Sequence, residues 1–188
     1  MRVTIEPAAK LSPLDLPERG NIHRLRAIAV LSNLPGHIAE RELKVLKRKL
    51  ELDSGSLHVE EARAHGCGNV LRVEVESANV TEVFTSFGQL GVRAEIVADR
   101  LAKEVERYLE AGAPVGEHLA DQLLLPMAVA GGGSFVAAPL SQHALTNIEV
   151  IRQFLPVEVK TTPSGDTAVR VEVKSAQLSP GTGKGTGS

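Results

Sequence analysis

The 188-residue sequence predicts an α+β fold: a β-α-β-α-β-β unit interrupted, after its first strand, by an inserted small α+β domain. Three observations carry this. A lone alternating segment, "RVTIE", stands ahead of a Pro-rich stretch. Residues 23–112 then hold enough strands and helices for a unit of their own. Beyond them the order resumes as α-β-α-β-β, which completes the pattern that the first strand opens.

In "RVTIE" (2–6), Val3 and Ile5 alternate with polar neighbours, the period of a strand. Residues 7–22, "PAAKLSPLDLPERGNI", hold three of the ten prolines and read as a linker, so 1–22 form the first strand and linker. A strand follows at 23–31. Pro35 opens a helix near 36–49, whose Ile38, Leu43, Leu46 and Leu50 fall roughly on one face. "LHVEEA" (57–62) is a weaker strand. "VLRVEVES" (70–77) is a strong one, with Leu71, Val73 and Val75 on one face and Arg72, Glu74 and Glu76 on the other. "TEVFTSFG" (81–88) is its neighbour in the same pattern. Over 94–111, Val97, Leu101, Val105 and Leu109 repeat every four residues and Gly112 supplies the helix stop. Residues 23–112 are therefore the inserted domain.

Residues 113–174 carry the remainder of the interrupted unit. A helix starts near 116 with Pro126 inside it, which should kink or split it. "SFVAAP" (134–139) is a strand and "TNIEVIRQFL" (146–155) a helix. "VEVKTT" and "AVRVEVKS" are strands joined by the turn "PSGD". Residues 175–188, "SAQLSPGTGKGTGS", are low-complexity and read as a flexible tail.

Composition narrows the function. With 43% hydrophobic and only 3% aromatic residues, the core must be built from Leu, Val, Ile and Ala. A net charge of −2 and a pI near 6.3 exclude a general nucleic-acid coater, which needs a basic stripe, but not a protein gripping a few phosphates. The single Cys67 excludes an internal disulfide and a multi-cysteine metal site. No run of 18 apolar residues and no signal-peptide pattern is present, so a cytoplasmic protein with no membrane partner is expected.

Several motifs yield little. "GTGKGTGS" imitates a phosphate loop, but Lys184 precedes Gly185 and no helix follows. His65 and Cys67 in "HGCGN" are too few for zinc, and His23, His37 and His58 have no visible partners. Gly131, Gly132 and Gly133 suit an anion nest, but a helix stop leading into a strand is the plainer reading.

His143 has more around it. Thr146 and Glu149 form a T-x-x-E capping box before an apolar run, placing a helix start at about 146–147, three residues past His143. Open amides and the helix dipole there favour a phosphate and keep the imidazole neutral. A neutral imidazole is a nucleophile suited to phosphorus. The competing reading is a loop histidine bonded to its own backbone. In "GEHLADQ", His118 and Asp121 share a helix face at i, i+3, and Asp121 and Gln122 are polar in an apolar run. Asp121 has the chemistry to orient an imidazole; an exposed helix edge is the alternative.

"GEHLADQLLLPMAVAGGGSF" followed by "SQHALTNIEVIRQFLP" resembles the C-terminal part of RNA 3′-terminal phosphate cyclases. "RGNIHRLRAIAVLSNLPGHIAERE" and "EIVADRLAKEVERYLEAGAPVGE" resemble the insert of the same family, and the resemblance runs from about residue 2 to 173. It implies a domain of repeated β-α-β-α-β-β units with the insert in the last. It also implies ATP-dependent conversion of an RNA 3′-phosphate end to a 2′,3′-cyclic phosphate through a covalent histidine-AMP, assisted by a divalent cation, Mg²⁺ or Mn²⁺. His143 matches the adenylated histidine, and His118, Leu119, Ala120, Asp121 and Gln122 match the segment that contacts the nucleotide. No metal ligand is assigned. An entire cyclase has roughly twice this length, so the first strand reads as a cut edge, with the N-terminal repeats missing or supplied as a separate chain. The alternatives are a non-catalytic cyclase-like scaffold of ribosome assembly, which lacks the nucleophile, and an inactive fragment.

Overall fold

A computed structural model describes residues 3–4, 6–7 and 10–176. Two compact units emerge, one of residues 16–116 and one of 1–15 with 117–188. The sequence boundaries for the inserted domain were 23 and 112; the "GTGKGTGS" motif lies outside the described residues.

The unit of residues 16–116 is built on a four-stranded sheet. Its central strand is β2 (Ile22–Ser32), flanked by β3 (Leu57–Glu61) in parallel and β4 (Gly68–Ser77) antiparallel; β5 (Thr81–Phe87) adds to β4 antiparallel. The period of two decides what each face does. Ala27, Ala29 and Leu31 of β2 and Leu71, Val73 and Val75 of β4 turn to one face, where α1 (His37–Lys49) and α2 (Ala94–Ala111) cover them. Leu43 and Leu46 of α1 and Leu101 and Val105 of α2 complete an aliphatic core with Phe84 and Tyr108. The other face carries an ion-pair lattice: Arg24 to Glu76, Arg26 to Glu74 and Glu76, and Arg72 to Glu74 and Glu60. Gly112 ends α2 at φ 65°, in the left-handed conformation that glycine adopts without strain.

The core of this unit also holds two carboxyls, both at apolar phases of the pattern. Glu42 of α1 is fully buried and accepts a hydrogen bond from Asn69 Nδ2 at 2.6 Å; Glu82 of β5 is 4% exposed and accepts one from the Gly116 amide at 3.3 Å. Burial pushes each up to about 7, above the ordinary carboxyl range. Tyr108, buried and beside Glu82, is likewise pushed up to about 12; its hydroxyl donates to the Pro114 carbonyl.

In the other unit the strands lie in the order β1 (Leu14–Leu16), β6 (Gly132–Ala137), β8 (Ala168–Ser175), β7 (Val157–Ser164). β6–β8 and β7–β8 are antiparallel. α3 (Glu117–Ala130) and α4 (Gln142–Phe154) pack on the sheet and on each other around Phe135, Leu124, Met127, Ile148, Ile151 and Val171. The chain order is β1, inserted unit, α3, β6, α4, β7, β8, which is the interrupted β-α-β-α-β-β pattern of a mixed α+β fold.

Three expectations change, and the plainer reading of the glycine run stands. Val3, Thr4 and Glu6, from the segment read as the first strand, have no regular structure, and Val3 is exposed; the strand is Leu14–Leu16, inside the presumed linker. Pro126 does not split its helix, because α3 is continuous from Glu117 to Ala130 with Pro126 exposed; the missing amide deprives only the Gln122 carbonyl of its helical donor. Of the three glycines, Gly131, with φ 85°, makes the turn after α3, and Gly132 and Gly133 open β6, where a Cβ on Gly133 would lie 2.3 Å from the Leu14 carbonyl oxygen. α4 starts at Gln142, a full turn before the predicted start.

Candidate active site on α3 and α4

The early start of α4 follows from its apolar stripe. Ala144, Ile148 and Ile151 are all buried, at i, i+4 and i+7, so packing continues one turn upstream of the apolar run read from sequence. Ser141 is the N-cap: its hydroxyl accepts from the Ala144 amide at 3.2 Å. Thr146 and Glu149 do not cap. Thr146 Oγ1 donates to the Gln142 carbonyl at 2.9 Å, and Glu149 pairs with Arg152 at 2.6 Å.

His143 therefore lies inside the first turn of α4, not in a link ahead of it. It is exposed and forms no side-chain hydrogen bond among the described residues, so its ring nitrogens face solvent. First-turn amides and the positive end of the helix dipole surround it, the environment an incoming phosphate seeks.

Asn147, one turn further along the same flank of α4, reaches α3: its Nδ2 donates to Asp121 Oδ1 at 3.0 Å and to the Asp121 carbonyl at 3.3 Å. Asp121, half-buried, thus fixes Asn147, one helical turn from His143, and ties the two helices together. Sequence reasoning had given the carboxylate an imidazole to orient; the hydrogen bond found runs to Asn147, a residue it missed. The only signal was its i+4 spacing from His143 in "HALTN".

The rest of the "HLADQ" segment occupies the first two turns of α3. His118 and Gln122 are exposed, Leu119 is half-buried, and Ala120 is fully buried, so Ala120 offers a ligand no side chain. A cavity of about 310 Å³ on α4 is lined by Gln142, Thr146, Glu149 and Arg152 but not by His143. His65 and Cys67 are exposed in the loop between β3 and β4. Among the described residues no group of three or more His, Cys, Asp or Glu side chains is arranged to hold a metal ion, and no helix is long and apolar enough to cross a membrane.

Chemically, the face presents an exposed imidazole, a hydrogen-bonded carboxamide–carboxylate pair on the same flank and the first-turn amides of a helix. Residues 17–110 match the family described as the RNA 3′-terminal phosphate cyclase (RTC) insert domain. The chain is also 47% identical over 175 residues to a protein of Ectopseudomonas mendocina (strain ymp) named RNA 3′-terminal phosphate cyclase. That alignment covers 93% of this chain and 50% of the relative, so the chain spans about half the length of the protein it matches. With one compact unit coinciding with the family's insert and the flanking sequence aligned to the same enzyme, the chain belongs to the RNA 3′-terminal phosphate cyclase family.

Proposed function

We propose that this chain supplies the C-terminal half of an ATP-dependent enzyme that converts an RNA 3′-phosphate end to a 2′,3′-cyclic phosphate, with His143 as the nucleophile. The observation that carries the reading is the exposed, unbonded imidazole of His143 in the first turn of α4, beside the Asn147–Asp121 bond.

The steps follow from that position. An unprotonated ring nitrogen of His143 attacks the α-phosphorus of ATP; a P–N bond forms, and the P–O bond to pyrophosphate breaks. The first-turn amides of α4 would stabilise an equatorial phosphate oxygen as it gains charge. An oxygen of the RNA 3′-phosphate then attacks the same phosphorus and the P–N bond breaks, returning a free imidazole. The neighbouring 2′-hydroxyl attacks the 3′-phosphorus, loses its proton and expels AMP. Gln122 and His118, exposed on α3, would meet the nucleotide, and Asp121 acts through Asn147 as a positioning residue. A divalent cation, Mg²⁺ or Mn²⁺, would be carried by the triphosphate and offset its charge. RNA, ATP and the remaining repeats of the enzyme, in the same or a separate chain, are the partners of this reading, and a cytoplasmic setting suits it.

The test is incubation with [α-³²P]ATP and Mg²⁺ or Mn²⁺. Label that survives alkali but not acid, and disappears in His143→Ala, is expected. The half-length match favours one refinement: the label appears only when the residues corresponding to the rest of the relative are joined or added. Absence of label in both forms would exclude the enzyme and leave a non-catalytic scaffold.

A further inference from the structure

The unit of residues 16–116 carries a groove that shares no residue with the face of α3 and α4. It has a volume of about 950 Å³ and lies between α1 and the first two turns of α2. Its apolar surface comes from Val45, Leu52 and Ile96; the first two are buried, whereas Ile96 stays 44% exposed. The charges on its two walls are unequal. On the α2 wall both carboxylates are already held: Glu95 by Arg41 in two bonds of 2.7 Å, and Asp99 by Lys49 at 2.5 Å and Lys103 at 2.9 Å. On the α1 wall Lys44 and Arg48, one turn apart, are exposed and form no hydrogen bond or ion pair among the described residues.

Lys47, beside them, donates to the Ser54 hydroxyl at 2.7 Å and lies near Asp53. Glu51 is the one carboxylate lining the groove that has no cation bound to it among the described residues. The helix itself explains part of this charge. Lys47, Arg48 and Lys49 stand in the last turn of α1, where cations answer the negative end of the dipole. Lys44 stands ahead of that turn, so the run of cations exceeds what the helix end asks for. Glu42, an acid of the same helix, is fully buried and takes no part in the charge of the wall.

Unpaired cations one turn apart beside apolar surface suit a chain that carries a charge at every unit and an apolar sugar between charges. None of the described side chains lining the groove is aromatic, so it offers bases no stacking platform and can hold a strand only by its backbone. We propose that this groove carries the body of an RNA strand, its phosphates on Lys44 and Arg48 and its sugars over Ile96. The inference rests on the RNA substrate of the proposed function, and it deepens that reading by placing the strand behind the reacting end. An acidic peptide is the rival occupant.

The experiment is fluorescence anisotropy of the 188-residue chain with a labelled oligoribonucleotide ending in a 3′-hydroxyl, which cannot enter the reaction at His143. Between about 50 and about 200 mM salt, log Kd should rise against log salt with a slope of about 1.4, from about 0.7 for each of two phosphates. Lys44→Ala with Arg48→Ala, both exposed and neutral to folding, should remove that slope and weaken binding about tenfold at the lower salt. Arg24→Ala takes a charge that Glu76 already cancels and should leave the affinity as it was, whereas Lys44→Ala alone, removing the same charge, should weaken it. A-rich and U-rich strands should bind alike. No binding at low salt, an unchanged slope in the double variant, equal weakening by Arg24→Ala, or polyglutamate binding as tightly as RNA would overturn the proposal. Labelling of His143 is read separately. A chain that takes no label yet binds RNA through Lys44 and Arg48 sinks the catalytic reading alone; a labelled chain whose double variant binds RNA unchanged sinks this one alone.

Discussion

Glu42 and Glu82 are the residues whose environment most changes their chemistry. Both have their carboxyl pushed up to about 7 from 4.5, with burial the largest cause and the Asn69 or Gly116 hydrogen bond opposing it. A carboxyl raised on folding binds more protons in the folded chain than in the unfolded one between these two values. Stability is therefore present in full below about 4.5, falls as pH rises to about 7, and is level above. Glu95 and Asp99, held down to about 2 by Arg41 and by Lys49 with Lys103, act oppositely and only in more acid solution. The expected outcome is a urea midpoint that declines from pH 5 to pH 7, with the slope reduced in Glu82→Gln, which keeps an acceptor for the Gly116 amide. A midpoint rising through that window in the natural chain would contradict the assignment. Neither burial was legible beforehand: "EREL" reads as an exposed polar run, and only the phase of Glu42, between Ala39 and Leu46, hints at the core.

At the scale of elements, α4 shows what decides a helix boundary. The sequence reading rests on the Thr146–Glu149 box, whereas the helix is capped a turn earlier by Ser141. Burial of Ala144 settles the choice, because a helix starting at 146 would leave that methyl without its place in the stripe. Ser141→Ala should therefore cost about 1 kcal/mol of stability, and Thr146→Ala clearly less. Equilibrium denaturation of the two variants measures the difference, and the reverse ranking would restore the later start. The long strands and helices with strict periods, β4 and α2 above all, were legible because local pattern and burial agree there. The three-residue β1 was not, since it lies among prolines and its partner β6 is over a hundred residues away. The Asn147–Asp121 bond was hidden for the same reason: a contact between two helices leaves no periodic trace in either.

At the scale of the whole molecule, order is concentrated in the centres of two sheets. Ala27, Ala29, Leu71, Val73 and Val75 have no exposed surface and belong to strands paired on both sides. Phe135 and Val171 play this part in the other unit, on β6 and β8. Native-state hydrogen exchange should be slowest at the β2–β4 and β6–β8 pairings and faster at the edge strands β3, β5 and β7. Protection highest at an edge strand would contradict this arrangement of the core.

The ion-pair lattice on the bare side of β2 and β4 has a consequence for where a polyanion goes. Arg24, Arg26 and Arg72 are met by Glu60, Glu74 and Glu76, so three cations are cancelled by three anions within one patch. Such a mosaic is electrically quiet beyond a few ångströms and exerts little pull on a phosphate chain. Attraction is left to the helical side, where Lys44 and Arg48 form no ion pair among the described residues. Any polyanion near this unit is thereby drawn towards its helical side rather than towards the lattice.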